Sequence, residues 1–200
     1  WVINEAELIF FAGGDQNLYI TWFKNSKLEK AFERSVLLKN IPVGGTSAGM
    51  ALLAGLSYRA RFSSPTNGGN LTSDDVLNNP TAAINVLESN SISASHLKNV
   101  ITETHFAERD RFGRIVGLMA KAIYNKDTHY NQIKSISSDA GTAFCYNAQG
   151  VGRVYGSKSV DFMRGQKPPE VLIPGKPLTW DANGTAVEVQ ILKAGQIFPL

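Results

Sequence analysis

Ser47 lies in a stretch whose residue types and spacing could support nucleophilic catalysis. Gly45-Thr46-Ser47-Ala48-Gly49 fits the pattern G-x-S-x-G, which is typical of a nucleophile elbow. A serine on a sharp strand-to-helix turn has a strained backbone, and neighbours without bulk let the chain bend there. The turn would project the hydroxyl out of the sheet, with the Ala48 amide facing a developing oxyanion. The pattern also fits an ordinary turn that contains a serine, so its partners decide the interpretation.

His105 is the best-placed histidine to act as the general base for Ser47. It follows a strand predicted at residues 100–102, so both residues are expected at the carboxyl edge of a parallel sheet. The other two histidines are interpreted as structural. The three histidines lack the spacing of a metal site, and a single cysteine excludes an internal disulfide. We therefore expect neither a metal nor a cofactor.

Three arginines follow the histidine at close spacing: Arg109, Arg111 and Arg114. If the next helix begins near Asp110, two of them can face the site. Guanidinium groups bind carboxylates through two parallel hydrogen bonds, which predicts a substrate that carries carboxylates. In the alternative interpretation, Glu108 and Asp110 neutralise the arginines on a solvated surface, where such pairs contribute little.

The elements around these residues indicate an α/β fold. Residues 7–11 form an apolar run that ends in a glycine pair, residues 17–40 have helical spacing, and residues 41–43 form the strand before the elbow. The β-rich part from residue 141 to 192 predicts antiparallel strands that close one edge of the sheet. The expected fold is a flavodoxin-like, doubly wound, mostly parallel sheet with an antiparallel C-terminal extension.

The composition is that of one domain. The chain has 200 residues, of which 43% are hydrophobic, so residues 1–200 can bury a sizeable core. The net charge of +3 is not clustered, so nucleic acid is not an expected partner. No apolar run reaches the roughly 20 residues of a membrane span. The compartment stays open between the cytoplasm and an exported location.

Three motifs resemble the S51 serine peptidase family of cyanophycinase and its relatives. They are FAGGDQ at 11–16, GTSAG at 45–49 and THFAERDRFGR at 104–114. That family has the flavodoxin topology of class I glutamine amidotransferase-like proteins. The resemblance implies a serine-type peptidase that acts through an acyl-enzyme, with Ser47 as nucleophile and His105 as its base.

The resemblance also assigns roles around the nucleophile. The amides of Ala48 and of Gly14, in the Gly13-Gly14 turn, would form the oxyanion hole. The positions expected to line the substrate pocket are Gln16, Glu103, Thr104, Arg109, Arg111 and Arg114. Cyanophycinase has Asp-Gln before the histidine, where this chain has Glu-Thr. The expected substrate is therefore a small or unusual acidic peptide, aspartyl or cyanophycin-like β-Asp-Arg.

The acid of the triad is a departure from the family pattern. Family members usually carry Asp-Glu where residues 139–140 here read Asp-Ala, so the acid that orients His105 must come from elsewhere or be lacking. Asp75, with Asp74 as the second choice, is expected to take this role because both lie between nucleophile and base in the sequence. Alternatively, either aspartate caps a short helix.

The start of the chain is the second departure, because the family has several βα units ahead of the first strand seen here. We expect these units to be supplied by a companion chain or by a preceding segment, since a sheet without them exposes apolar edges. A homodimer and a peptide substrate are the other expected partners. A catalytically inactive binding protein is the leading alternative, and an ordinary esterase would not explain the arginines.

Overall fold

The structure, a computed structural model, describes residues 2–66, 68–89 and 95–200. The described helices are α1 (Val2–Glu5), α2 (Gln16–Phe23), α3 (Lys27–Glu33), α4 (Ala48–Leu52), α5 (Ser73–Asn78) and α6 (Phe112–Asn125). The described strands are β1 (Ile9–Phe11), β2 (Val43–Gly45), β3 (Leu56–Tyr58), β4 (Leu87–Ser89), β5 (Val100–Thr104), β6 (Lys134–Ser138), β7 (Thr142–Tyr146), β8 (Val151–Gly156), β9 (Ser159–Gly165), β10 (Val187–Lys193) and β11 (Ile197–Pro199). None of the described helices is long and apolar enough to span a lipid bilayer.

The first strands form a parallel pair that holds the elbow. β1 and β2 pair in parallel, as the strand–helix–strand order predicts. The connection is not the single helix expected over residues 17–40. It breaks at Asn25, whose φ of 61° is left-handed, and Ser26 then caps α3 by accepting a hydrogen bond from the Glu29 amide. A π-helical segment, Arg34–Leu38, completes the crossover.

A second, four-stranded sheet holds the histidine. Its strand order is β10-β9-β6-β5, with β5 and β6 parallel and the other neighbours antiparallel. α6 packs its apolar face into the core with the residues that its spacing predicts: Ile115, Leu118, Met119 and Ala122 are each 0% exposed. α6 ends at Asn125, the expected position.

The mixed α/β class is confirmed, whereas a single wound parallel sheet is not formed by the described strands. The parallel strands form two separate pairs, and every other described strand pairing is antiparallel. The helix after Ser47, α4, contacts strands of both parallel pairs. The Thr102 hydroxyl on β5 donates a hydrogen bond to the Met50 carbonyl oxygen of α4 at 3.1 Å. The antiparallel C-terminal part is present in β7, β8 and β11. Within the part predicted to be β-rich, Val171 contributes only an isolated bridge with Thr179.

Candidate active site

Ser47 occupies a strained turn between β2 and α4. Its backbone has φ 52° and ψ −118°, a region that residues with a side chain seldom occupy. Strain of this kind persists only where surrounding contacts impose it, and it is common at functional sites. The spacing of the small residues predicts a strained turn at this serine, and the role of the turn as a nucleophile elbow stays a prediction.

The two glycines of the elbow are required by close packing. A Cβ atom added to Gly45 would lie 2.4 Å from the carbonyl carbon and oxygen of Gly49. A Cβ added to Gly49 would lie 2.2 Å from the carbonyl oxygen of Phe11, at the end of β1. Backbone atoms cannot move aside as a flexible side chain can, so the G-x-S-x-G pattern has a steric cause here.

His105 contacts the nucleophile directly. Ser47 Oγ lies 3.1 Å from His105 Nε2, a hydrogen-bonding distance in a partly buried environment. His105 follows β5 immediately, and its φ of 49° turns it out of the strand direction. The expectation that the two side chains lie within hydrogen-bond reach is therefore confirmed.

The surroundings of His105 favour its neutral form. Burial lowers the pKa of the imidazole below its usual 6.5, and the nearby Arg109 and Arg111 guanidiniums lower it further. Glu108 and Glu103 oppose this shift but do not cancel it. A neutral imidazole at pH 7 has a free lone pair, so Nε2 is available to accept the serine proton.

Two backbone amides lie beside the nucleophile. Neither the Ala48 nor the Gly14 amide has a hydrogen-bond acceptor among the described residues. Ala48 is the first residue of α4, and Gly14, with a φ of 151°, lines the same cavity as Ser47. A Cβ built on Gly13 would lie 3.4 Å from Ser47 Cβ, so the glycine turn passes close to the serine. The oxyanion-hole role of the two amides stays a prediction.

The buried carboxylate of Glu103 holds two of the three arginines. Arg114 binds it bidentately, with Nη2 2.6 Å from Oε1 and Nε 2.8 Å from Oε2. Arg111 Nη1 lies 2.9 Å from Oε1 and 2.6 Å from the Thr104 carbonyl oxygen. The side chains of the trio are each less than a tenth exposed. The alternative interpretation, in which Glu108 and Asp110 neutralise the arginines on a solvated surface, is therefore not observed for Arg111 and Arg114.

A small polar cavity of about 160 Å³ lies on one side of the nucleophile. The expected pocket residues that line it are Gln16, Glu103, Thr104, Arg109, Arg111 and Arg114, together with Ser47 and Gly14. Gln16 Nε2 donates to the Tyr58 carbonyl oxygen at 3.3 Å. Arg109 is exposed, and its guanidinium has no hydrogen-bond or ion-pair partner among the described residues. Of the three arginines that line this cavity, Arg109 is thus the one whose guanidinium is best able to bind a solute.

A larger apolar cavity of about 410 Å³ lies on the other side of Ser47. Its apolar walls come from the ends of both parallel strand pairs and from the C-terminal strands. They include Phe10, Met50, Leu53, Leu97, Ile136 and Phe144. His105 lines this cavity, whereas Ser47 lines both cavities. Ser47 therefore borders both an apolar and a cationic cavity.

Asp75 does not act as the acid of a triad, which corrects the expectation from the sequence. Its carboxylate accepts hydrogen bonds from the Thr72 amide at 2.8 Å, the Ser64 hydroxyl at 2.6 Å and the Thr66 hydroxyl at 3.0 Å. Thr72 and Asp75 form a capping box at the start of α5, so the alternative interpretation holds. Asp74, the second choice, makes no hydrogen bond to His105.

His105 Nδ1 has no hydrogen-bond partner among the described residues, so no acid fixes the imidazole. Asp139 accepts from the Ala107 amide and from Ser159 instead. Glu108 accepts a hydrogen bond from the Ala140 amide at 3.1 Å, and it also pairs with Lys158. Glu108 and Glu103 are the acids whose charge acts on His105, and the sequence reasoning missed the contact of Glu108 with Ala140.

Tyr58 is a second residue that the sequence reasoning missed. The composition of residues 58–70 predicts a loop, yet Tyr58 ends the buried strand β3 and lines the polar cavity. The Arg114 guanidinium lies over its ring, 5.3 Å from the centroid. An aromatic residue at the end of a short strand gave no local signal of this placement.

Comparisons with known proteins support the fold. No family model matches the chain, and no curated protein matches it. A solved structure described as a peptidase from an acI-B1 Actinobacterium is similar over 100% of this chain, with a TM-score of 0.51 and 17% identity. The chain spans 62% of the length of that protein. At this identity the likeness shows a shared fold.

Among the described residues, no cluster of three or more acidic, histidine or cysteine side chains is placed to hold a metal ion.

Proposed function

We propose that the chain is a serine-type peptidase of the S51, cyanophycinase-like family that hydrolyses small acidic peptides through an acyl-enzyme on Ser47. The observation that carries this proposal is the 3.1 Å contact between Ser47 Oγ, on a strained elbow, and the Nε2 atom of a partly buried His105. The fold shared with a solved peptidase supports the same reaction class.

The reaction follows from the order of these groups. His105 Nε2 takes the proton of Ser47 as Oγ attacks the scissile carbonyl carbon, and the Ala48 and Gly14 amides donate to the oxyanion that forms. The intermediate collapses when His105 gives that proton to the leaving amine, which leaves an ester on Ser47. Water, deprotonated by His105, then hydrolyses the ester and restores the serine.

The catalytic pair acts as a dyad. No carboxylate contacts Nδ1 of His105 among the described residues, so burial and charge set the state of the imidazole. A bonded acid fixes the tautomer of the histidine and stabilises its protonated form in serine peptidases. Turnover by this chain is therefore expected to be slower than that of a triad enzyme.

The two cavities beside Ser47 support a substrate that has an acidic and an apolar residue. The cationic cavity, with Arg109 at its exposed side, suits a carboxylate, and the larger apolar cavity suits an apolar residue across the scissile bond. The favoured substrate is a short peptide that joins an aspartyl residue to an apolar one. A homodimer remains a prediction about the assembly that binds it.

Peptide turnover tests the proposal. Aspartyl-leucine and asparaginyl-leucine peptides are incubated with the protein and with its Ser47→Ala variant, and amine release is measured. The proposal predicts release from the aspartyl peptide that the variant abolishes, together with a Ser47 ester trapped at short times and seen by intact mass. Equal release by the variant, or none from either peptide, contradicts it.

A non-catalytic binding protein is the second candidate function. The unpartnered Nδ1 of His105 and the alanine at position 140 favour it, because both remove support that a triad enzyme has. A binding protein would retain its affinity for acidic peptides and release no amine from them. Binding without turnover in the same assay identifies this alternative.

A further inference from the structure

Two buried hydrogen-bond donors, on residues that line the polar cavity, have no partner among the described residues. Tyr58 Oη and Arg111 Nε are buried atoms without a hydrogen bond among the described residues, and their residues are 4% and 7% exposed. A buried donor left unpaired costs folding free energy, so nearly all such groups in native proteins are satisfied by protein, water or ligand. Both residues line the cavity that also contains Ser47.

The charge around these donors favours an anion. The buried trio places the two guanidiniums of Arg111 and Arg114 against the single carboxylate of Glu103, which leaves one positive charge in excess. Arg109 adds another cation at the exposed side of the cavity. A buried charge in excess of its partners is unfavourable until a counter-charge is bound.

The Tyr58 hydroxyl is suited to donate to that anion. Burial raises the pKa of this phenol to about 12, although the nearby arginines oppose the shift, so the group keeps its proton at neutral pH. The carbonyl of Tyr58 is bonded to Gln16 and its ring lies under Arg114, which fixes the side chain in place. The hydroxyl is thus a positioned donor beside fixed positive charge.

From this arrangement we propose that Tyr58 is a specificity-determining residue, whose hydroxyl donates to a substrate carboxylate held in the polar cavity with Arg111. The inference rests on the proposed function for its substrate, but it concerns binding and not the chemical step. The cavity volume of about 160 Å³ exceeds the roughly 30 Å³ that one water occupies, so a carboxymethyl group fits there.

Calorimetry on the Ser47→Ala protein tests the proposal without any need for turnover. The probes are N-acetyl-aspartate α-amide, its isostere N-acetyl-asparagine α-amide, and N-acetyl-asparagine with a free α-carboxylate. The proposal predicts that a carboxylate probe binds at least about tenfold more tightly than the fully amidated probe. The first and third probes distinguish a side-chain carboxylate from a terminal one.

The Tyr58→Phe substitution then assigns the preference to the hydroxyl. The variant should bind the preferred carboxylate probe about tenfold more weakly and the amidated probe unchanged. Its Tm without ligand should rise by about 2–6 °C, because the unpaired hydroxyl is removed. Tyr155→Phe, at an exposed tyrosine of β8, is the matched control and should change neither quantity.

Several results would overturn the inference. The inference is wrong if the protein that retains Tyr58 binds the carboxylate and amidated probes equally. It is also wrong if Tyr58→Phe keeps the preference for the carboxylate probe. In both cases the hydroxyl is satisfied by water alone. A lower Tm for Tyr58→Phe would mean that the hydroxyl already has a partner in the free protein. Labelling of Ser47 by a serine probe in the chain that retains this serine would show that the catalytic proposal survives any of these results.

Discussion

Replacing Asp75 by alanine separates a capping residue from a catalytic acid. In the structure its carboxylate accepts three hydrogen bonds, from Thr72, Ser64 and Thr66, and all three donors lie in the same loop and helix start. The substitution removes these bonds and leaves the contact between nucleophile and base untouched. It should therefore lower stability and spare reactivity.

The expected magnitudes differ by orders between the two roles. Loss of a helix cap costs about 0.5–2 kcal/mol, and 1 kcal/mol shifts the Tm of a domain this size by about 2–4 °C. The Tm of Asp75→Ala should therefore fall by about 1–8 °C, while the rate of serine labelling changes less than about threefold. Loss of a triad acid would lower the rate by about 10⁴-fold, as in serine proteases.

The pH dependence of the stability loss follows from the same contacts. Burial alone would raise the pKa of Asp75, but hydrogen bonds from Ser64, Thr72 and Thr66 outweigh it and lower the pKa below 3.8. A lowered pKa in the folded state stabilises the protein above pH 3.8, and this contribution is lost as the pH falls through the folded value. The Tm difference between parent and variant should therefore shrink as the pH falls below 3.8 and through the lowered pKa of Asp75.

Two assays and one control variant complete this test. Thermal unfolding gives the Tm, and the second-order rate constant with a fluorophosphonate probe gives the reactivity of the serine. Asp74→Ala is the matched control. The Asp74 carboxylate is exposed and makes no hydrogen bond to the described residues, so the substitution removes none. A folded Asp75→Ala protein that labels more than about 100-fold slower would refute the assignment and restore a triad.

Three further predictions concern the site. The rate of serine labelling should rise with pH through a midpoint below 6.5, because the neutral form of His105 acts as the base. Arg109→Gln should raise that midpoint because it removes a nearby positive charge, and an unchanged midpoint would contradict this charge effect. Gly49→Ala should slow labelling at least about 100-fold, because its Cβ would lie 2.2 Å from the carbonyl oxygen of Phe11. Gly44→Ala is the control and should label normally, because its Cβ would lie 3.0 Å from the exposed ring of Phe10. Glu103→Gln should destabilise the chain by about 3–5 kcal/mol in urea unfolding, since two buried guanidiniums lose their counter-charge, and an unchanged midpoint would contradict the buried trio.

Local sequence predicts the nucleophile and its base because their placement has local causes. Only small residues fit around Ser47, and the steric reason is visible in the spacing of Gly45 and Gly49. His105 follows a buried strand, so its place at the sheet edge follows from the apolar pattern before it. The capping box of Thr72 and Asp75 is equally local, and the error was to assign its acid to a distant histidine.

The rest of the site depends on contacts between distant residues. Glu103 looked like a pocket residue, and only the folded chain shows that it binds two arginines at once. β6 was missed because its sequence KSISS has no apolar run, although Ser135 and Ser137 are 1% and 0% exposed. Buried serine-rich strands give no periodic signal, because neighbouring strands rather than hydrophobicity define them.

The central claim, that Ser47 is a nucleophile activated by His105, is tested most directly by mapping a covalent label. The chain and its His105→Gln variant are reacted with a fluorophosphonate at pH 7.5, digested, and sequenced by mass spectrometry. We predict a phosphonate adduct on Ser47 in the unaltered chain and a labelling rate at least about 10³-fold lower in the variant. An unlabelled Ser47, or equal labelling in the two proteins, would contradict the claim.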